Sequence, residues 1–328
     1  MSSYEKVRAL PLEINEYELE PLSREVARGF TLRRTVVVLR GGGHEGRGED
    51  IDYDPGVHEQ LQAREHELPL VGRHTFDSYS LLQAGHTEYR RWALESAALD
   101  LALRQAGLSL ADALGREVRP VRFVVSTRVA NVERWLELYP DLRFKLDPDR
   151  DWTDELVGRL AATGRVDTLD FKGIYRAAFG MPPDAALYAR LAGTFPGAWL
   201  EDPALTPETT AALEGARERI TWDAAIHEWS DVEALPFAPR TLNCKPSRFG
   251  SVRRLFDFYD RCGDAGIGLY GGGQFELGPG RGQIQLLASL FHADAPNDVA
   301  PSGFNAAEPV AGLPTSPLVL EPGPGFSA

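Results

Sequence analysis

The sequence predicts an α/β chain: a (β/α)8-type, TIM-like barrel carrying an N-terminal α+β capping domain. Three observations carry that expectation. From Val121 onward, short apolar runs alternate regularly with helical patterns, giving eight candidate strands. Successive runs end in charged residues, Lys145, Asp170, Glu201, Asp223 and Lys245, which suggests chemistry gathered on one rim of the barrel. Before Val121 the pattern is different, with period-2 stretches followed by one long amphipathic helix.

Residues 4–40 hold the alternating stretch YEKVRALPLEI and the β-branched run Thr35-Val36-Val37-Val38-Leu39. GGGHEG and GRGEDIDYD follow, reading as the turn and return strand of a small antiparallel sheet. A phosphate loop is excluded there, because neither GxGxxG nor GK[ST] is present. TEYRRWALESAALDLALRQ, residues 87–105, is the clearest helix: Leu94, Ala97, Ala98, Leu101 and Ala102 share one face, and Gly107 stops it. A short helix, SLADALG, ends at Gly115, and Pro120 marks the change to a β-rich run. The junction is placed at 116–121, giving a capping domain over 1–118 and a barrel over 119–305. The turn-rich tail, 306–328, is expected either to pack back on the N-terminal sheet or to be loosely held.

The candidate barrel strands are 121–128, 142–147, 166–172, 197–201, 219–223, 240–245, 266–271 and 297–301. Between them, Thr206-Pro207-Glu208 supplies an N-cap and a first-turn proline, and Ser230-Asp231-Val232-Glu233 has capping-box spacing. Val252, Leu255, Phe256 and Tyr259 make another helical face. The nucleotide fingerprint of an open doubly wound sheet is missing.

Composition narrows the function classes. A net charge of -13 and a pI near 5.1 argue against nucleic acid or an anionic membrane as partner, while leaving a small anionic substrate open. No run approaches the ~18 apolar residues of a membrane span, and MSSYEKVRAL lacks the apolar core of a signal peptide. A cytoplasmic protein is the expectation. Cys244 and Cys262 are the only cysteines, too few for a disulfide framework or a cysteine-based zinc site.

Residues two apart on a strand face the same way, so Lys145 points with Asp147, and Asp170 with Lys172. Asp170, Glu201 and Asp223 then converge from three successive strands, a set of hard oxygen ligands that suits magnesium. Lys145 and Lys245 flank them, and a lysine in a dry or cationic pocket can serve as a base near neutral pH. By the same alternation Asp202 and Cys244 face away, as a structural acid and a packed thiol. His227 reads as an ordinary residue after the fifth strand. Glu276 is a candidate contact for substrate or a lysine, with a solvated loop acid as the alternative.

Taken together, these motifs resemble the enolase superfamily, and within it the muconate-lactonizing group of o-succinylbenzoate synthases, N-acylamino acid racemases and dipeptide epimerases. The likeness covers nearly the whole chain. YRRWALESAALDLALRQAGLSLADALG and GRGE resemble the end helices and G-x-GE turn of that family's capping domain; KLDPDRD stands where the family has K-x-K. LDFKG, WLEDP and TWDAA resemble its three metal-ligand strands, NCKPSRFG its sixth-strand lysine, and GGGQFELGPGRGQIQLLASL its seventh strand, loop and helix. The resemblance implies magnesium on Asp170, Glu201 and Asp223, with Lys245 and Lys145 as catalytic residues. The reaction implied is removal of a proton α to a carboxylate to give a metal-stabilised enediolate, then elimination or isomerisation. Loops around 22–30 and 49–54 of the capping domain would shape specificity. The partner implied is a small-molecule carboxylate, and a homo-oligomer is left open. The histidine that the mandelate-racemase branch uses on the seventh strand is absent from 266–273.

Three positions depart from the family pattern. Asp147 replaces the second lysine of K-x-K, which argues for a lyase or cycloisomerase over a two-base racemase. Lys172 replaces an asparagine after the first metal-ligand Asp, and Ala224 replaces an acid after the third. Two readings of the charge follow. Magnesium can balance the three acids, or Lys172 with Lys145 and Lys245 can stand in for it. The second reading leads to an alternative function, a diverged member that binds a small anion with weak or no metal dependence.

Overall fold

In the computed structural model, residues 1–27, 30–64, 68–175 and 182–327 are described. The alternating N-terminal stretches become strands because each has one face to bury. β1 (Pro11–Ile14), β2 (Glu16–Ala27), β3 (Phe30–Gly41) and β4 (His44–Asp50) come first. β2, β3 and β4 form an antiparallel meander in that order, with Leu19 opposite Val37 and Val37 opposite Gly48. After α1 (Pro55–Ala63), β5 (Gly72–Thr75) pairs antiparallel with β1. α2 (Phe76–Leu82), α3 (Glu88–Ala106) and α4 (Leu110–Leu114) complete this cap.

α3 lies directly on β4, and the glycines of GRGE are the reason. A Cβ on Gly46 would sit 2.3 Å from the Leu101 nitrogen, and one on Gly48 would sit 2.1 Å from the Ala93 carbonyl oxygen. No side chain fits that approach. The helix ends at Gly107 in the left-handed conformation, as the sequence indicates.

β6 (Val125–Ser126), β7 (Phe144–Leu146), β8 (Val166–Asp170), β9 (Trp199–Glu201) and β10 (Ile220–Thr221) form a parallel sheet in chain order. β11 (Thr241–Cys244) and β12 (Gly268–Gly271) form a parallel pair. The Asn243 amide donates to the Trp222 carbonyl at 3.0 Å and joins the two sheets. Parallel bridges of Gly272 to Asp298 and of Phe123 to Asn297 close the ring. The barrel is thus the predicted one, with a difference at the eighth strand. Residues 297–301 contribute those bridges rather than a ladder, because Pro296 and Pro301 bracket the segment and neither can donate a ladder hydrogen bond.

Helices α5 (Val132–Leu138), α6 (Asp154–Thr163), α7 (Ala185–Thr194), α8 (Pro207–Ala212), α9 (Trp229–Glu233), α10 (Val252–Ala265) and α11 (Pro279–Phe291) alternate with these strands. Thr206 caps α8 through the Thr209 amide, with Pro207 in the first turn. α9 starts earlier than its sequence suggests. Glu228, not Ser230, is the N-cap, and the Asp231 carboxylate accepts the Glu228 amide at 2.8 Å. Val252, Leu255, Phe256 and Tyr259 of α10 are all buried.

The tail docks on both parts of the chain. Leu318 pairs antiparallel with Val121, and Gly325 bridges to Ser109. The Phe326 amide donates to Asp100 Oδ1 at 2.7 Å, and its ring meets Trp92 edge-on at 6.2 Å. It therefore reaches α3 and α4 of the cap rather than the sheet. Among the described residues no helix is long and apolar enough to cross a membrane.

Candidate active site

The carboxyl ends of β7 to β11 bring the charged residues together under the cap. Lys145, inside β7, places its ammonium 2.5 Å from Glu201 and 3.3 Å from Asp170. Glu201, the last residue of β9, is fully buried and also accepts from Tyr270 Oη at 2.5 Å and Asn243 Nδ2 at 3.3 Å. Burial pushes the Glu201 carboxyl up to about 8, against the pull of Lys145. Burial alone would lower the Lys145 amine, but Glu201 and Asp170 outweigh it and hold the amine well above its ordinary value. For Asp170 the two lysines, 145 and 172, overcome burial and keep the carboxyl below the usual range.

Asp147 and Lys172, two of the departures from the family pattern, form an ion pair that the sequence reading did not anticipate. Lys172 takes a left-handed backbone (φ 51°) just past β8, and its ammonium lies 2.9 Å from Asp147 and 3.6 Å from Asp170. Asp223 is held by Lys245 at 2.8 Å and by Arg248 at 2.7 Å. Burial opposes its charge, but Arg248 and Lys245 hold its carboxyl well below the usual range. Arg248 also donates to the Asp223 carbonyl at 2.6 Å and to Tyr175 Oη at 3.1 Å.

The acids that approach one another most closely differ from the expected trio. Asp170, Glu201 and Asp202 each offer an oxygen within 4.8 Å of the others. Asp202 does not face away as strand alternation implies, because β9 ends at Glu201 and Asp202 adopts φ 47°. It also accepts the Asp223 and Ala224 amides at 2.8 and 2.9 Å, so it braces the Asp223 loop as well. Burial, then Asp223 and Asp170, push its carboxyl up to about 7.

This donor set is all carboxylate oxygen and suits a hard divalent cation such as magnesium. The cations of the chain go most of the way toward the same balance. Lys145, Lys172, Lys245 and Arg248 face five carboxylates: Asp147, Asp170, Glu201, Asp202 and Asp223. Arg248 extends the lysine reading to four cations, and the proton that burial favours on Glu201 meets the fifth carboxylate.

Lys145, Asp147, Asp170, Lys172 and Lys245 line a cavity of about 1050 Å³. Arg281 lines it too, paired with Glu276 at 3.2 Å. Glu276 is buried and accepts the Gln274 amide at 2.7 Å, so it is neither solvated nor bonded to a lysine. Glu49, the acid of GRGE, accepts the amides of Leu277, Gly278 and Gly280 at 2.6, 2.9 and 3.1 Å, and so pins the same loop to the cap. Burial, more than any other cause, pushes its carboxyl up to about 7. His227 pairs with Glu88 at 2.9 Å, away from this cavity. The Cys244 thiol is buried against the helices and pushed up by burial. Of the loops named for specificity, residues 28–29 lie outside the described residues, and Tyr53 of the second loop lines the cavity. Sequence reasoning missed Arg248, Asn243, Tyr270 and Arg281. The three-residue step from Lys245 to Arg248 was the available signal for the first, since a single turn folds it back on the same rim.

The comparisons agree with this architecture. The family described as "Domain of unknown function (DUF8230) C-terminal domain" matches residues 117–306, and its N-terminal counterpart matches residues 5–113. The o-succinylbenzoate synthase of Bacillus subtilis (strain 168) is 26% identical over 222 residues, 64% of this chain. The match spans 58% of that relative's length. A muconate cycloisomerase from Pseudomonas fluorescens superposes with a TM-score of 0.69 at 19% identity, covering 96% of each chain. A dipeptide epimerase from Methylococcus capsulatus, complexed with Mg ion, superposes with a TM-score of 0.70 at 21% identity, covering 96% of this chain and 99% of that one. The chain therefore belongs to the DUF8230 family and is built on the two-domain fold of the enolase superfamily.

Proposed function

We propose that this chain is a lyase or cycloisomerase, akin to an o-succinylbenzoate synthase, that removes a proton α to the carboxylate of a small molecule. The observation that carries the reading is the pair Lys145 and Lys245. They come from the second and sixth strand positions of the ring and enter one cavity together, with the buried acids behind them. Lys245 is the base, being 11% exposed against 3% for Lys145. Burial and Arg248 both lower its amine, while Asp223 raises it and sets the balance above the ordinary value. Because a base acts in its neutral form, turnover is expected to rise with pH. Lys145 stays charged between Asp170 and Glu201, where it stabilises negative charge developing on the substrate. Asp170, Glu201 and Asp202 would hold magnesium, which when bound supplies further positive charge for that purpose. Asp147 is committed to Lys172, and this supports one-sided proton removal over racemisation.

The test is turnover of acylamino acids, dipeptides and succinylbenzoate-type precursors in deuterated water with MgCl2, followed by NMR. Wild type is expected to exchange or convert at least one of these, and Lys245→Ala to lose the activity. Equal rates in the two proteins refute the assignment. One observation favours a second reading, an anion-binding member without metal dependence: Lys145 already bonds two of the three clustered acids. Tight, stoichiometric magnesium binding by calorimetry excludes it.

A further inference from the structure

Between two buried polar residues, Gln274 and Glu276, the chain thrusts out Phe275, 48% exposed on a left-handed backbone (φ 58°). That inverts the usual order, in which the apolar side chain turns inward, and a bulky residue in that conformation is strained. The cap enforces the inversion. Arg34 Nη2 and Tyr53 Oη donate to the Gln274 carbonyl at 3.0 and 3.3 Å, and Tyr53 Oη also lies 3.0 Å from Gln274 Oε1. On the other side, Glu49 fixes the amides that follow. Strain of this kind persists where its surroundings over-determine it. The exposed ring lines the same cavity as the lysines, as do Tyr53 and Tyr175.

We propose that Phe275 is a specificity-determining residue that, with Tyr53 and Tyr175, receives an aromatic group of the substrate. The substrate class is then a carboxylate bearing an aromatic ring, and the inference rests on reading the cavity as a carboxylate site. The lysines take the anionic end, and three aromatic side chains take the apolar end through area burial and ring contact.

The experiment compares binding of 4-phenylbutyrate and butyrate to the full chain by calorimetry with MgCl2 present. Wild type is expected to prefer the aromatic acid at least tenfold, and Phe275→Gly to cut that preference roughly tenfold, the scale of one aromatic contact. Glycine adopts the left-handed region freely, so the variant's melting temperature should not fall. Phe275→Asn, also tolerant of that region, repeats the test without adding glycine's flexibility. The proposal is overturned if wild type shows no preference, if it binds neither acid, or if both variants keep the preference. A chain that shows the preference yet turns over no carboxylate overturns only the proposed chemistry.

Discussion

Lys145→Met tests how the buried acids are balanced. The substitution keeps the volume of the side chain and removes the ammonium that lies 2.5 Å from Glu201 and 3.3 Å from Asp170. Breaking a buried ion pair by removing one partner costs about 3–5 kcal/mol. Unfolding entropy of roughly 2.1 cal/mol/K per residue gives about 0.7 kcal/mol/K for a chain of 328 residues. The melting temperature should therefore fall by about 4–7 °C without added metal. Glu201, pushed up to about 8, keeps a proton in the folded state that the unfolded chain loses near pH 4.3. Stability falls as pH rises through that interval, and removing Lys145 extends the interval upward, so the loss should be larger at pH 9 than at pH 6. Thermal unfolding with and without 10 mM MgCl2 is the assay. Magnesium should raise the variant's melting temperature more than wild type's, because the cation takes over the missing charge. An unchanged melting temperature without metal, or an equal magnesium effect in both proteins, refutes the reasoning.

Two further outcomes follow from buried groups elsewhere. The His292 imidazole is lowered to about 4, mainly by burial, and Nδ1 contacts Asn297 Oδ1 at 2.7 Å. The unfolded chain binds that proton first, so about 3 kcal/mol of stability should be lost as pH falls from 6.5 to 4, and His292→Gln should flatten this part of the denaturant-midpoint profile; an unchanged profile counts against the assignment. Glu49→Ala leaves three loop amides without their acceptor and should cost at least ~3 kcal/mol. It should also raise KM for a carboxylate substrate more than it lowers kcat, whereas a selective loss of kcat contradicts a positioning role.

How much of this was legible in the sequence depended on the range of each argument. The strand runs, the helix ending at Gly107 and the inward direction of Lys145 and Asp170 rest on local periodicity, which holds within an element. Alternation failed one residue past β9, where the left-handed turn at Asp202 brings its carboxylate back to the acids. No sequence period encodes that turn. Arg248, Tyr270 and Asn243 join the site by tertiary approach, from a turn after β11 and from inward positions on β11 and β12 that look like ordinary strand polarity. Glu276 is a loop acid by sequence, and its burial follows from Arg281 one turn away and from the cap above it.

Beside the loop contacts made by Glu49, Arg34 and Tyr53, the tail gives the cap a second attachment along the chain. One connection is the chain running from α4 into Val121, and the other is the strap from Leu318, beside Val121, to Phe326 on α3. A part held by one hinge can swing as a lid, whereas a part held at two places loses most of that freedom. Ligand exchange by a rigid swing of the cap would have to break the Phe326–Asp100 bond and peel an aromatic ring off Trp92. The double tether makes the floor and roof of the cavity a fixed frame, and leaves traffic to its loops.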